Sequence, residues 1–130
     1  MNKKVFVLLF SVLFCSAFVN AQETAKSELQ QRAEAIDPKK NIAGARSLYI
    51  HAFNDYYNKG QILQGVECAV KATALYYKEN FYKEAFDLLH RADDAVNAGK
   101  NMSPGEKAAA HYLVTKERLQ MRSEEHTSEL

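Results

Sequence analysis

The stretch of residues 47–77 constrains the fold most, because it has the pattern of one helical hairpin. Its apolar and small residues recur every three or four positions, and Gly60 interrupts the run where a turn is needed. The segment Tyr-Tyr-Asn-Lys-Gly at 56–60 is followed twenty residues later by Tyr-Tyr-Lys-Glu-Asn at 76–80. A hairpin of this kind leaves one face unburied and needs neighbours to stack on. The sequence therefore predicts an all-α fold of stacked antiparallel helical hairpins.

The pattern predicts a lead-in helix at 24–36, helices at 41–59, 61–79 and 81–97, and a fifth helix that begins at Ser103. Gly60 and Asn80 are expected in the left-handed conformation that ends the second and third helices. Ser103 and Glu106 are expected to form a capping box, in which Ser103 accepts from the Glu106 amide and Glu106 reaches back to the Ser103 amide. No alternation typical of strands is present.

Helical spacing also predicts which side chains face the core. On the second helix these are Leu48, Tyr49, Ala52, Phe53, Tyr56 and Tyr57. On the third they are Ile62, Val66, Ala69, Val70, Thr73 and Tyr77. On the fourth they are Tyr82, Ala85, Phe86, Leu89, Ala92 and Val96. On the fifth they are Ala109, Tyr112, Leu113, Lys116 and Leu119.

Residues 1–21 have the layout of a secretory signal peptide. Two lysines are followed by an apolar run at 5–19, and small residues precede a predicted cleavage after Ala21. The chain is therefore expected to be exported, to the periplasm or cell envelope. An uncleaved anchor helix and a lipoprotein acylated at Cys15 are the alternatives.

Residues 122–130 resemble the translation of a sequencing-library adapter, which matches at every residue. On this interpretation the natural coding sequence is cut near Met121, and the tail that follows does not belong to the protein. An ordinary polar terminus is the alternative. The expected organisation is thus a signal peptide at 1–21, a helical lead-in at 22–40, a helical repeat domain at 41–121 that is incomplete at its carboxyl end, and a non-native tail at 122–130.

Charge and cysteine content limit the function classes. The formal net charge is +1, so there is no electrostatic case for a nucleic-acid partner. Cys68 is the one cysteine outside the signal region, and it is interpreted as a small buried hydrophobe, with a reactive or pairing thiol as the alternative.

Residues able to carry catalysis or metal binding do not form a recognisable pattern. His51, His90 and His111 lie on different predicted helices without metal-ligand spacing, and no nucleophile elbow or phosphate-binding glycine loop is present. We therefore expect no enzyme activity, no metal and no cofactor.

The hairpin resembles the tetratricopeptide repeat. The matching positions are Tyr49, Ala52, Phe53, Tyr56, Gly60, Gly65 and Ala72, while Phe53 stands where the family prefers a small residue and Tyr77 where a closing proline is usual. The resemblance implies a short α-solenoid that binds a protein or peptide on its concave surface. His51, Asn54 and Asn58 would then face the partner.

Segments 75–80, 84–89 and 107–119 resemble exported tetratricopeptide regions of Bacteroides-type signalling proteins. That resemblance implies the sensory or scaffolding segment of a larger envelope protein, with a possible membrane tether in a carboxyl-terminal part that is missing. Two alternatives are the helical region of an extracytoplasmic enzyme whose catalytic domain is missing, and a free-standing helical bundle.

Overall fold

The computed structural model describes residues 25–128. This part of the chain is all-α, without strands, and contains helices α1 (Glu28–Ala35), α2 (Ile42–Asn58), α3 (Ile62–Lys78), α4 (Tyr82–Ala98) and α5 (Pro104–Ser128). The all-α fold of helical hairpins predicted from the sequence is confirmed. The predicted signal peptide, its cleavage site at Ala21 and the alternative at Cys15 lie outside the described residues. Helix α5 continues into the 122–130 segment as far as Ser128.

A repeat of 20 residues sets the positions of the three middle helices. Helices α2, α3 and α4 each contain 17 residues and begin at positions 42, 62 and 82. Gly60 has φ 76° and Asn80 has φ 65°, so both predicted left-handed residues are confirmed. Glycine and asparagine adopt this conformation at lower cost than other residues, which is why each helix ends where it does.

The two turns close with the same hydrogen bonds. The Gly60 amide donates to the Tyr57 carbonyl at 3.0 Å, and the Gln61 amide donates to the Tyr56 carbonyl at 2.9 Å. Twenty residues later, the Asn80 and Phe81 amides make the matching bonds, at 3.1 and 3.0 Å. These are paired bonds of the Schellman type, which satisfy carbonyls left open at a helix end.

The helix starts agree with the sequence in part. The Glu106 amide donates to Ser103 Oγ at 3.2 Å as predicted, but Glu106 Oε1 accepts from the Ser103 hydroxyl instead of its amide. The lead-in helix begins at Glu28 and not at Thr24, because Ser27 Oγ accepts from the amide of Gln30 and caps it.

Helix α3 is the centre of the domain, since it packs against α2, α4 and α5. Its buried residues cover most of its circumference and are Gly65, Val66, Cys68, Ala69, Ala72, Thr73, Leu75 and Tyr77. Gly65 lets α2 approach closely, because a Cβ at this position would lie 3.3 Å from both Phe53 and Tyr56. Small residues thus set the spacing of the first hairpin.

The predicted inward face of α4 is wrong at two positions. Tyr82 and Phe86 are 45% and 38% exposed, whereas Leu88 and Ala95 are buried. Helix α4 packs against both α3 and α5, and the side that carries Leu88 and Ala95 is buried. The aromatic side chains at its amino-terminal end are left at the surface.

The predicted inward face of α5 is also wrong at every position except Leu113, which is partly buried against the core. Tyr112 and Leu119 are largely exposed, and so are Ala109 and Lys116. The buried stripe lies about one residue further along the helix and consists of Ala110, Val114, Glu117 and Met121. Two stripes at helical spacing compete on this helix, and contact with α3 and α4 decides which one is buried.

Candidate functional site

An open groove runs between α2 and α4, the first helices of the two hairpins. It consists of three consecutive cavities of about 220, 330 and 310 Å³, here termed the first, middle and end cavities. Arg91 lines both the first and the middle cavity, and Tyr57, Ala95 and Ala98 line both the middle and the end cavity. The middle and end cavities therefore form one surface, and the first cavity adjoins it at Arg91. The three cavities together are here termed the α2–α4 groove.

Each cavity has its own set of lining residues. The first is lined by Ile50, Tyr76, Glu84, Asp87, Leu88 and Arg91. The middle cavity is lined by Phe53, Asn54, Tyr57, Arg91, Asp94, Ala95 and Ala98. The end cavity is lined by Tyr57, Gly60, Ile62, Ala95, Ala98, Gly99, Lys100, Asn101 and Met102.

Arg91 bridges the groove from α4 to α2. Its Nη2 donates to Asn54 Oδ1 at 2.9 Å, and its guanidinium carbon lies 5.4 Å from the centre of the Phe53 ring. The bond orients the Asn54 amide, and the cation–π contact directs the Arg91 charge toward an aromatic face. Both interactions join residues that are far apart in the chain, so they connect the two walls of the groove.

The α4 wall of the groove carries carboxylates and the Arg91 cation, whereas the α2 residues that line it are uncharged. Asp87 is paired with Lys83 at 2.8 Å. Asp94 lies 3.5 Å from the imidazole of the exposed His90. The α2 residues that line the cavities are Ile50, Phe53, Asn54 and Tyr57. Asp94 therefore provides a carboxylate beside an apolar surface.

The three predicted partner-binding residues lie in different environments. Asn54 lines the middle cavity and is bonded to Arg91. His51 and Asn58 are exposed on α2 and are not among the residues that line the three cavities. Whether any of them binds a partner stays a prediction.

Three residues of the groove were missed from the sequence. Tyr57 was assigned to the core, but it is 49% exposed because Tyr56, its neighbour, takes the inward position. The residues near Arg91 and Asp94 in the sequence do not indicate that these two side chains line a groove. Their positions there depend on α2, and the bond from Arg91 to Asn54 joins residues 37 positions apart.

A second cation, Arg46, joins α2 to the turn between α3 and α4. Its guanidinium carbon lies 4.5 Å from the centre of the Tyr76 ring and 5.7 Å from that of Phe81, and it forms an ion pair with Glu79. Tyr76 also lines the first cavity. The cluster therefore supports the end of the groove formed by the first cavity.

The buried Cys68 thiol and the residue types that bind metals are the remaining candidates for a site in the described part of the chain. Cys68 is fully buried in α3, and burial raises the pKa of its thiol to about 12, which confirms the interpretation of a small core residue. Residues 25–128 contain no group of three or more histidine, cysteine, aspartate or glutamate side chains placed to hold a metal ion. No helix within this range is long and apolar enough to span a membrane.

In comparisons with known proteins, no family model matches this chain, and no curated protein or solved structure matches it. The resemblance to tetratricopeptide repeats therefore stays a prediction.

Proposed function

We propose that this chain is a non-catalytic interaction module of the tetratricopeptide-like type, which binds a protein or peptide segment in the α2–α4 groove. The observation that supports the proposal most directly is the surface shared by the middle and end cavities, which the exposed Tyr57 lines together with the oriented amide of Asn54 in the middle cavity. Exposed aromatic side chains and oriented amides are common in surfaces that recognise extended chains. We further propose that the module is exported and acts as the sensory or scaffolding segment of a larger envelope protein.

Recognition in such a groove needs no covalent step. An extended peptide offers backbone amides and carbonyls at regular intervals, and the Asn54 amide group can donate to one of these carbonyls while its oxygen stays bonded to Arg91. The Tyr57 ring supplies apolar contact area at low cost in side-chain entropy. The groove is present without a ligand because α2 and α4 both pack against α3, and a preformed surface favours binding because less has to be ordered on association.

The test is selection of a random-peptide display library on the purified full chain, followed by fluorescence-anisotropy titration of the enriched peptides. Tyr57→Ala is expected to weaken their binding about tenfold, as expected for an aromatic contact residue. Tyr112→Ala is the matched control, because Tyr112 is also an exposed helical tyrosine but lies on α5, outside the groove. It is expected to have no effect.

The same peptides test the predicted α2 residues. Asn54→Ala is expected to weaken binding more than His51→Ala or Asn58→Ala, because Asn54 is the member of the three that lines the middle cavity. Circular dichroism should show unchanged helicity in all three variants. The proposal fails if no peptide is enriched, or if the enriched peptides bind Tyr57→Ala and wild type equally well.

A further inference from the structure

We infer that the outer face of α5 binds the same face of a second copy of this chain, so that two α5 helices pack antiparallel about a two-fold axis near Tyr112. The outer face is the side of α5 opposite its buried stripe, and its residues are Gly105, Ala108, Ala109, Tyr112, Thr115, Lys116 and Leu119. This inference goes beyond the proposed function and does not depend on it, since no residue of α5 lines any of the three cavities of the α2–α4 groove.

The outer face carries the two most exposed large hydrophobic side chains among the described residues. Tyr112 is 64% exposed and Leu119 is 60% exposed, and they lie about two helical turns apart on one side of the helix. The other residues of the face are exposed as well, and Lys116 is the one charged residue among them. The side of a helix that faces water normally carries charged and polar residues. An exposed face with so little charge is typical of a surface that contacts another protein.

Large and small residues occupy opposite halves of the outer face. Gly105, Ala108 and Ala109 lie in its amino-terminal half and Leu119 lies at its carboxyl-terminal end, with Tyr112 between them. In an antiparallel pair whose axis passes Tyr112, residues at equal distances before and after Tyr112 lie opposite one another. Leu119 then lies opposite the second copy's Gly105, which has open space around it. A large side chain is thus placed against small residues twice, which allows close packing of the two helices.

The charges at one edge of the outer face are also self-complementary. About 2.8 helical turns separate Glu106 from Lys116, so both lie toward the same edge of α5. The two-fold axis brings this edge against itself, and each Lys116 then lies within about 3 Å, measured along the helix, of the second copy's Glu106. In the described part of the chain, Glu106 bonds to the Ser103 hydroxyl and Lys116 lies over the Tyr112 ring, and neither side chain has an ion-pair partner there. An ion pair with the second copy therefore forms twice without breaking an existing one.

The alternative orientation of two copies lacks both kinds of complementarity. A parallel pair would place Lys116 against Lys116 and Leu119 against Leu119, and the small residues would face one another across a gap. The antiparallel interface is short, because residues 105–119 span only about 22 Å of helix. Association is therefore expected to be weak, with a dissociation constant on the order of 100 µM.

The experiment is sedimentation equilibrium of the purified full chain from about 10 µM to about 1 mM, a range that brackets this constant. Wild type is expected to form dimers and no larger species, because a two-fold contact closes on itself. Tyr112→Ala and Leu119→Ala should each weaken the dimer at least about tenfold, as expected for central contact residues. Circular dichroism should show unchanged helicity in both variants, since both side chains are largely exposed.

Charge reversal tests the antiparallel pairing itself. Lys116→Glu should weaken the dimer about tenfold, because it sets two carboxylates against each other at two places in the interface. Glu106→Lys combined with Lys116→Glu should restore association, since opposite charges again face each other. Lys40→Glu is the matched control, because it reverses an exposed lysine outside α5 and changes the net charge equally. It should leave the dimer unchanged.

Three results would overturn the inference. A chain that stays monomeric throughout the concentration range shows that a second copy does not cover the outer face. Association that Leu119→Ala and Lys116→Glu leave unchanged arises at another surface. A double variant that associates as weakly as Lys116→Glu alone excludes the antiparallel pairing. Peptide binding in the α2–α4 groove is tested separately by the library selection, so failure of the inference leaves the proposed function intact.

Discussion

The hydroxyl of Tyr56 donates a hydrogen bond of 2.6 Å to the side-chain carbonyl of Gln30, 26 residues earlier in the chain. The same hydroxyl accepts from the Ser27 amide at 2.7 Å. Both Tyr56 and Gln30 are buried, so one phenol oxygen satisfies two polar groups at the junction of α1 and α2. The lead-in helix is therefore part of the packed domain.

Replacing Tyr56 with phenylalanine should destabilise the fold by about 1–3 kcal/mol, because it leaves the buried Gln30 carbonyl without its donor. Urea denaturation followed by circular dichroism measures the loss. Tyr57→Phe is the control, since Tyr57 is half-exposed, and it should change the free energy of unfolding very little. Equal effects of the two substitutions would show that the buried bond contributes nothing.

Gly60→Ala should lower the free energy of unfolding by about 1 kcal/mol, because alanine at φ 76° is strained. Beyond the adjacent residues of the chain, no atom lies within 4 Å of the added Cβ, so the backbone conformation is the cause. Gly105→Ala should have the opposite sign, because Gly105 lies in the first turn of α5 with open space around it, and alanine favours a helix by up to about 1 kcal/mol. Thermal unfolding of the two variants tests this difference in sign.

The observed face of α4 predicts different effects of two apolar substitutions. Leu89→Ala should destabilise the protein by about 2–5 kcal/mol, since Leu89 is fully buried. Phe86→Ala should cost less than Leu89→Ala, because Phe86 is 38% exposed. Chemical denaturation provides both values. A larger loss for Phe86→Ala would favour the inward face predicted from the sequence alone.

Glu117→Gln should stabilise the protein at neutral pH by on the order of 1 kcal/mol, because the carboxylate is buried on α5. Burial raises the pKa of Glu117, and the nearby Glu124 carboxylate raises it further. The protonated carboxyl is thus favoured in the folded state, and its contribution is fully present below the unfolded pKa and lost as the pH rises through the folded pKa.

The advantage of Glu117→Gln over wild type should therefore shrink as the pH falls from 7 to 4. Melting temperatures of both proteins across this range measure the difference and cancel the effects of other carboxyl groups. A difference that grows toward pH 4 would contradict the raised pKa.

Cys68 should be inert toward thiol reagents while the chain is folded. With a pKa of about 12, only about one thiol in ten thousand is ionised at pH 8, and the side chain is buried. Reaction with Ellman's reagent is expected to be slow in buffer and fast in denaturant. Rapid reaction in buffer would show that α3 opens readily.

The turns and the helix lengths could be predicted because they depend on interactions between residues that are close in sequence. Gly60 and Asn80 end their helices through their own backbone conformations and through bonds to carbonyls only a few residues away. Ser103 caps α5 in the same local manner. Such features depend on little outside one turn of chain, so sequence patterns report them well.

The buried faces and the groove were harder to predict. Helix α5 carries a stripe with Tyr112 and another with Val114, and both have helical spacing. In the same way, Asn54 could be placed on an exposed face of α2, but its partner Arg91 could not be found by spacing.

The sequence by itself thus determined an all-α chain of hairpins with a period of 20 residues and the positions of its turns. Only the tertiary structure decided which stripe of α4 and α5 is buried, and that Asn54, Tyr57, Arg91 and Asp94 line one cavity. The physical reason is that helix ends are governed by local backbone energetics. The choice of a buried face is instead governed by the free energy of removing apolar surface from water against a particular neighbour.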